Sequence, residues 1–252
     1  MDAAAAGRIA RLACEDAAPG TPVVEIGAGT GTLTFALLEA GARVCALEID
    51  PALVAILNDR GDLAAADIVR TDAMTYDYAS FAQSGPWRAA GNLPYNIATP
   101  LLMQFVEMEG GPERIVAMIQ KDVADRIDAK PSTPAYGSLS LAVQRAMRVE
   151  RAFTLGPRAF YPAPKVDSTV VSLTRRNEPL VAPHDLELFR KVVRGAFAYR
   201  RKTLVNSLTL ALGLDRNAIA QAIAASGLPA ESRGEQLDLQ AFCRLADLLA
   251  QR

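Results

Sequence analysis

Histidine is nearly absent from this 252-residue chain: His184 is the only one. Its rarity excludes a histidine-based proton relay. Cys14, Cys45 and Cys243 are far apart, with no Cys or His neighbours, so a zinc constellation is excluded as well. The cysteines read as small buried apolar residues and His184 as an exposed linker residue. Long apolar runs are missing too. Half of the residues are hydrophobic, but charges, prolines or glycines interrupt every stretch, and no membrane span is expected. Residues 1–7 are alanine-rich without a basic start or an apolar core of signal length, which points to the cytoplasm. There is no internal repeat and no low-complexity tract. The length suits one large domain and one small one.

Against that background stands Glu25-Ile26-Gly27-Ala28-Gly29-Thr30-Gly31, between an apolar strand-like run and an apolar helix-like run. Gly27, Gly29 and Gly31 allow positive φ and close approach of a ligand to the backbone. The spacing is G-x-G-x-G with Glu25 two residues ahead, unlike the G-x-G-x-x-G that cradles a pyrophosphate. A loop among carboxylates suits the cationic amino end of S-adenosylmethionine. The second strand, 43–47, runs into Glu48, a carboxylate for the ribose hydroxyls. The third, 68–70, ends near Asp72, placed for the adenine amino group. One such acid would read as a solvated strand end; three at successive strand ends read as a site.

A fourth strand leads into Asn92-Leu93-Pro94-Tyr95. An adenine N6 lone pair is delocalised and gains nucleophilicity when acceptors draw its hydrogens out of plane. The Asn92 side-chain oxygen and the Pro94 carbonyl are candidate acceptors, and Tyr95 can stack on the base. No strong base is required, because the leaving group is a neutral thioether. Prolines 157, 162 and 164 stiffen a loop that would hold Phe160 toward the site. These features point to methylation of a nucleobase.

Asn92-Leu93-Pro94-Tyr95 continuing into Asn96-Ile97-Ala98-Thr99-Pro100, Phe160-Tyr161-Pro162-Ala163-Pro164-Lys165-Val166-Asp167-Ser168, and Phe197-Ala198-Tyr199-Arg200-Arg201-Lys202-Thr203-Leu204 together resemble the ribosomal RNA adenine dimethyltransferases of the KsgA/RsmA type. The resemblance covers nearly the whole chain. It implies S-adenosylmethionine-dependent N6,N6-dimethylation of two adjacent adenosines in a hairpin loop near the 3′ end of 16S rRNA, with a role in ribosome biogenesis. It also implies cofactor contacts from Gly27, Glu48, Asp72 and Asn92, base contacts from Asn92 and Tyr95, and Phe160 as a second aromatic wall. Family members carry a Gln-Asn-Phe-Leu motif ahead of the region matching residues 2–12, which closes over the cofactor. This sequence starts after it, so a weakened hold on the cofactor is expected. Three other readings share some of the features: a 23S rRNA adenine methyltransferase conferring antibiotic resistance, an rRNA-binding assembly factor with weak catalysis, and a nicotinamide oxidoreductase. The last lacks a catalytic His or Tyr-x-x-x-Lys pattern.

The expected fold class is α/β, a Rossmann-like methyltransferase sheet with one reversed strand and a small C-terminal helical domain. The expected divisions are a catalytic domain 1–176, a linker 177–183 and an RNA-binding domain 184–252 with helices at 185–211, 216–226 and 239–249. Net charge is only −1, but residues 1–100 hold six basic against twelve acidic residues, and residues 101–252 hold twenty-one against sixteen. Arg190, Lys191, Arg194, Arg200, Arg201 and Lys202 form the candidate phosphate-binding cluster, with 190, 194 and 201 expected on one helix face. Lys121, Arg126 and Lys130 would extend it. A monomer acting on 16S rRNA within the small ribosomal subunit or its precursor, with S-adenosylmethionine and no metal, is the expectation.

Overall fold

The computed structural model describes residues 2–83, 85–156 and 166–251. Contacts divide the chain into two units, Met1–Ala124 with Met147–Arg175, and Asp125–Ala146 with Arg176–Arg252. The first unit is built on a seven-stranded sheet: β1 (Pro22–Ile26), β2 (Arg43–Glu48), β3 (Asp67–Arg70), β4 (Arg88–Asn92), β5 (Arg114–Gln120), β6 (Met147–Leu155) and β7 (Ser168–Arg175), in the order β3-β2-β1-β4-β5-β7-β6. Neighbours from β3 to β5 pair in parallel, while β7 runs antiparallel to both β5 and β6. This is the α/β sheet with a reversed strand that the sequence predicts. The reversal sets Ser168 opposite both Gln120 and Leu155, so the β6–β7 hairpin opens at the carboxyl end of β5.

Strands β1, β4, β5 and β7 are buried along most of their length, as apolar runs covered on both faces require, whereas the edge strands β3 and β6 are partly exposed. Helices α1 (Ala3–Cys14) and α2 (Thr32–Glu39) cover one face, with Ile9, Ala13, Leu33 and Leu37 packing into the cluster that contains Val23, Val44, Ala90 and Met118. Asp2 caps α1 by accepting the Ala4 N–H at 2.9 Å. At its other end the carbonyls of Ala13 and Glu15 take the buried Arg88 guanidinium at 2.9 and 2.5 Å, and the Leu12 carbonyl takes Arg114 at 3.0 Å. Carbonyls left over by helix geometry are thereby satisfied by cations where the helix dipole is negative. Among the described residues this unit also contains α3 (Pro51–Asp59), α4 (Ala79–Gln83), α5 (Ala98–Glu107) and a short 3-10 turn, Gly61–Leu63. Tyr78, Trp87 and Phe105 form an aromatic cluster beneath β4, Tyr78 stacked on Trp87 at 5.8 Å.

Helix α6 (Lys121–Ile127) spans the division of the chain. The second unit contains α7 (Ser138–Ala146), α8 (Leu186–Ala198), α9 (Leu204–Leu212), α10 (Arg216–Ala225) and α11 (Leu239–Ala250) around a core that includes Tyr136, Phe189, Val192, Leu208, Ile219 and Phe242. Two features differ from the sequence expectation. Asp125–Ala146 belongs with the helices and not with the sheet, because Tyr136 and Leu141 are buried in the helical core and the Tyr136 hydroxyl donates to the Leu237 carbonyl at 2.9 Å. The helix expected over 185–211 is two helices. Thr203 is extended, the Leu204 N–H donates to the Ser232 carbonyl at 2.7 Å, and the Ser207 hydroxyl donates to the Gly195 carbonyl at 2.7 Å. A Cβ on Gly195 would stand 3.2 Å from both Ala211 and Leu208 side-chain carbons, so α9 folds back closely on α8. An uninterrupted helix would carry Leu204 and Leu208 out of the core.

Candidate active site

The carboxyl ends of four parallel strands lie side by side, Ile26 paired with Leu47 and with Gly91, and Glu48 paired with Arg70. Gly27, Gly29 and Gly31 follow β1 with φ of 71°, 59° and 84°, the left-handed region that the sequence reading requires. The N–H groups of Gly27 and Ala28 donate to the Leu47 carbonyl at 2.9 and 3.1 Å, tying the turn to β2. A Cβ on Gly27 would stand 3.9 Å from the Asn92 carbonyl oxygen and 4.0 Å from Pro94 Cδ. The two sequence motifs therefore meet at Gly27. Gly31 serves differently: it is buried, and a Cβ there would meet Leu63 Cδ1 at 2.5 Å. It shapes the turn from behind and offers no open surface.

Glu48 ends β2 with only 7 % of its surface exposed. Oε2 accepts the Gly29 N–H at 2.8 Å, and Oε1 accepts the N–H groups of Ile49 and Asp50 at 2.9 and 3.0 Å. Three backbone donors fix this carboxylate, and its remaining lone-pair capacity can meet a ligand hydroxyl. It is also the clamp on the glycine turn, a second task the sequence does not suggest. Ile49 is 62 % exposed beside it, an aliphatic surface at the rim that sequence reasoning missed, although its place directly after the acidic strand end was the available signal. Asp72 follows β3, exposed, with Oδ1 accepting the Met74 N–H at 2.8 Å. The loop behind it is held by the buried Tyr78 hydroxyl, which donates to the Ala73 carbonyl at 2.7 Å.

At the end of β4, Asn92, Pro94 and Tyr95 are all exposed, Tyr95 by 46 %. The Asn92 side-chain amide makes no hydrogen bond among the described residues, so its oxygen is available. The Pro94 carbonyl is not: it accepts the N–H groups of Ile97 and Ala98, both at 3.0 Å, as the chain turns into α5. Both of its lone pairs are used, which removes it as an acceptor for a base amine. Phe160 lies outside the described residues, as does the rest of 157–165.

Glu25 corrects another expectation. It shares the face of β1 with Val23, toward α2 and not the rim, and is 1 % exposed. Burial raises its pKa to about 8, Thr34 opposes that shift, and the Glu48 carboxylate adds to it. Although Thr34 faces it closely enough to offset the shift, Glu25 Oε2 and Thr34 Oγ1 each lack a hydrogen bond of good geometry. Glu25 underlies the turn as a protonatable group and does not line its open side.

In the helical unit the basic cluster also divides. Arg190 pairs with Glu187 one turn earlier on α8. Arg200 donates to the carbonyls of Pro134 and Tyr136 at 3.0 and 3.2 Å and lies 3.7 Å from Glu235. Lys191, Arg201 and Lys202 are exposed and make no ion pair among the described residues; Arg194 is exposed on α8. Arg201 and Lys202 sit in the turn between α8 and α9, so residues 190, 194 and 201 do not share a helix face. Cys45 is buried, Cys14 and Cys243 are partly buried, and all three are free thiols. His184 is 77 % exposed on its side chain, with Nδ1 3.3 Å from Asp247.

Sheet order, glycine turn and polar strand ends define a Rossmann-like α/β methyltransferase. The family model for ribosomal RNA adenine dimethylase matches residues 8–251. The chain is 43 % identical over 236 residues to a ribosomal RNA small subunit methyltransferase A of Streptococcus gordonii, covering 90 % of this chain and 81 % of that one. It is 44 % identical, with the same coverage, to the protein of that name in Streptococcus mutans. Among solved structures, a dimethyladenosine transferase from Plasmodium falciparum superposes with a TM-score of 0.75 at 22 % identity, covering 95 % and 93 % of the two chains. The 23S rRNA methyltransferase ErmE gives 0.71 at 25 % identity, covering 100 % and 99 %. The chain belongs to the ribosomal RNA adenine dimethylase family.

Proposed function

We infer that this protein dimethylates adenine N6 in small-subunit rRNA, using S-adenosylmethionine, on two adjacent adenosines of the 3′-terminal hairpin loop of 16S rRNA. The carrying observation is the meeting of the glycine turn, at Gly27, with Asn92 and Pro94 of the motif that also presents the exposed Tyr95. The ErmE fold is nearly as similar as that of the dimethyladenosine transferase, so the fold does not choose between rRNA substrates; identity above 40 % to small-subunit relatives favours the 16S reading over the 23S one.

The residues fit the cofactor. A turn whose glycines leave its surface bare and a buried carboxylate with spare acceptor capacity suit a ribose and a methionine chain, and Ile49 offers an apolar face to a purine. S-adenosylmethionine supplies a methyl group on a cationic sulfur that leaves as a neutral thioether. Glu48 and Asp72 orient the nucleoside, and Asn92 Oδ1 accepts an amine hydrogen so that the N6 lone pair points out of the ring plane. Tyr95 stacks on the extruded base. The lost amine proton leaves to water, since a neutral thioether leaving group requires no strong base. Lys191, Arg201 and Lys202, exposed and without an ion pair among the described residues, are available to phosphates, and the domain that carries them is the RNA-facing one. The expected place of action is the cytoplasm, on the small subunit or its precursor.

The test is transfer of labelled methyl from S-adenosylmethionine to undermethylated small ribosomal subunits, with the product nucleoside identified by mass. N6,N6-dimethyladenosine in 16S rRNA is the expected product. Label in 23S rRNA, or binding without label, would overturn the reading.

A further inference from the structure

Behind the glycine turn lies a contact that no motif contains. Arg60, just after α3, donates from Nη1 to the Thr30 carbonyl at 2.7 Å, thirty residues away in sequence. Asp62 grips the same guanidinium from the other side, Nε to Oδ1 at 2.9 Å and Nη2 to Oδ2 at 2.5 Å. This bidentate fork fixes the plane of the guanidinium and so aims Nη1. The pair lowers the pKa of Asp62 and raises that of Arg60 through their shared hydrogen bonds. Thr30 lies between the two glycines that start and shape the turn, and Gly31, the residue before α2, has no side-chain cap. The missing Cβ of Gly31 would stand 3.2 Å from Arg60 Nη1, in addition to its closer approach to Leu57 and Leu63. The segment from Leu57 to Leu63 is therefore a backing plate for the turn, and Arg60 is its only polar fastening among the described residues.

We propose that Arg60, aimed by Asp62, is a positioning residue that holds the glycine turn in its cofactor-binding shape and so sets affinity for S-adenosylmethionine. The proposal rests on the functional reading above. Two physical points support it. Thr30 lies on a stretch with three left-handed glycines, where the unfastened backbone has many conformations to lose on binding. Asp62 also balances the guanidinium charge, which keeps an uncompensated cation away from a cationic ligand.

The experiment is titration calorimetry of the whole chain with S-adenosylmethionine and with S-adenosylhomocysteine, together with kcat and KM for methyl transfer. Variants are Arg60→Ala, Arg60→Lys, Asp62→Ala and the Arg60→Ala/Asp62→Ala pair, each checked for its thermal midpoint. Arg60→Ala is expected to raise Kd and KM for the cofactor about tenfold, the scale of one charge-assisted hydrogen bond, with kcat changed less than about twofold. Asp62→Ala should weaken binding by a smaller factor, the pair should match Arg60→Ala alone, and Arg60→Lys should recover part of the loss. Should Arg60→Ala fail to fold, Asp62→Ala tests the same arrangement through its own, smaller loss of cofactor affinity with kcat held. Unchanged Kd in folded variants, or additive losses in the pair, would overturn the proposal. Failure of the unmodified protein to bind either nucleoside would instead overturn the functional reading.

Discussion

Glu48 accepts three backbone N–H groups in the sheet unit, whereas Lys191, Arg201 and Lys202 in the helical unit make no ion pair among the described residues. The polar groups at the strand ends are set in advance by the chain around them. Exposed cations on long flexible stems are set by whatever they meet. Preorganisation suits a small ligand whose reacting atoms must be aligned closely, and adaptability suits a phosphate backbone whose contribution is largely sequence-independent. Arg200 crosses the line: it is a cation by type, but its carbonyl contacts make it a structural tie.

This contrast is easiest to break at Asn92. Asn92→Ala should lower turnover by about two to three orders of magnitude, the scale for loss of one preorganised polar partner, while leaving RNA affinity near its original value. Single-turnover methylation beside filter binding would measure both. Equal loss in the two assays would mean that Asn92 is part of the RNA surface and not of the reaction centre.

A smaller effect is expected from replacing Lys191, Arg201 and Lys202 together by alanine. The slope of log affinity against log salt should flatten by about 2, at roughly 0.7 for each phosphate contact to single-stranded RNA. Arg200→Ala should leave that slope alone and lower the thermal midpoint instead, because it unties the segment at Pro134 and Tyr136 from the turn after α8. A slope change from Arg200→Ala matching that of the triple variant would erase the distinction between tie and contact.

The Glu25 carboxyl has its pKa raised in the fold from 4.5 to about 8, chiefly by burial. The folded state thus holds a proton that the unfolded state releases at lower pH, so stability is full below about pH 4.5 and declines as pH rises toward 8. Glu25→Gln should remove that decline and be more stable than the original protein at pH 8, as read from urea unfolding at several pH values. Parallel pH curves for the two proteins would show that the carboxyl is not buried as described.

The strands, the glycine turn and the order of the strand-end acids were legible because their signals are local: apolar runs, left-handed glycines and a polar residue at or just beyond the ends of β2, β3 and β4. What escaped was set at a distance. The break at 199–203 is hidden because amphipathic spacing continues through it; contacts from Ser232 and the close approach at Gly195 impose the turn. Arg60 has no motif, since its partner lies thirty residues away. The side of the strand that Glu25 occupies was knowable from its alternation with Val24 and Ile26, but its closeness to the glycines favoured the site reading. The Pro94 carbonyl is lost to a base amine because the start of α5 claims it.

The reversal of β7 has a consequence for redesign. Both Leu155 and Ser168 meet the sheet where β5 ends at Gln120, and the Lys121 N–H donates to the Asp167 carbonyl at 3.0 Å on the same edge. Any segment spliced between those two strands leaves and re-enters the sheet at the rim that carries Asn92. That segment can therefore be exchanged with both of its ends still held at β5 and the parallel pairing from β3 to β5 unaltered.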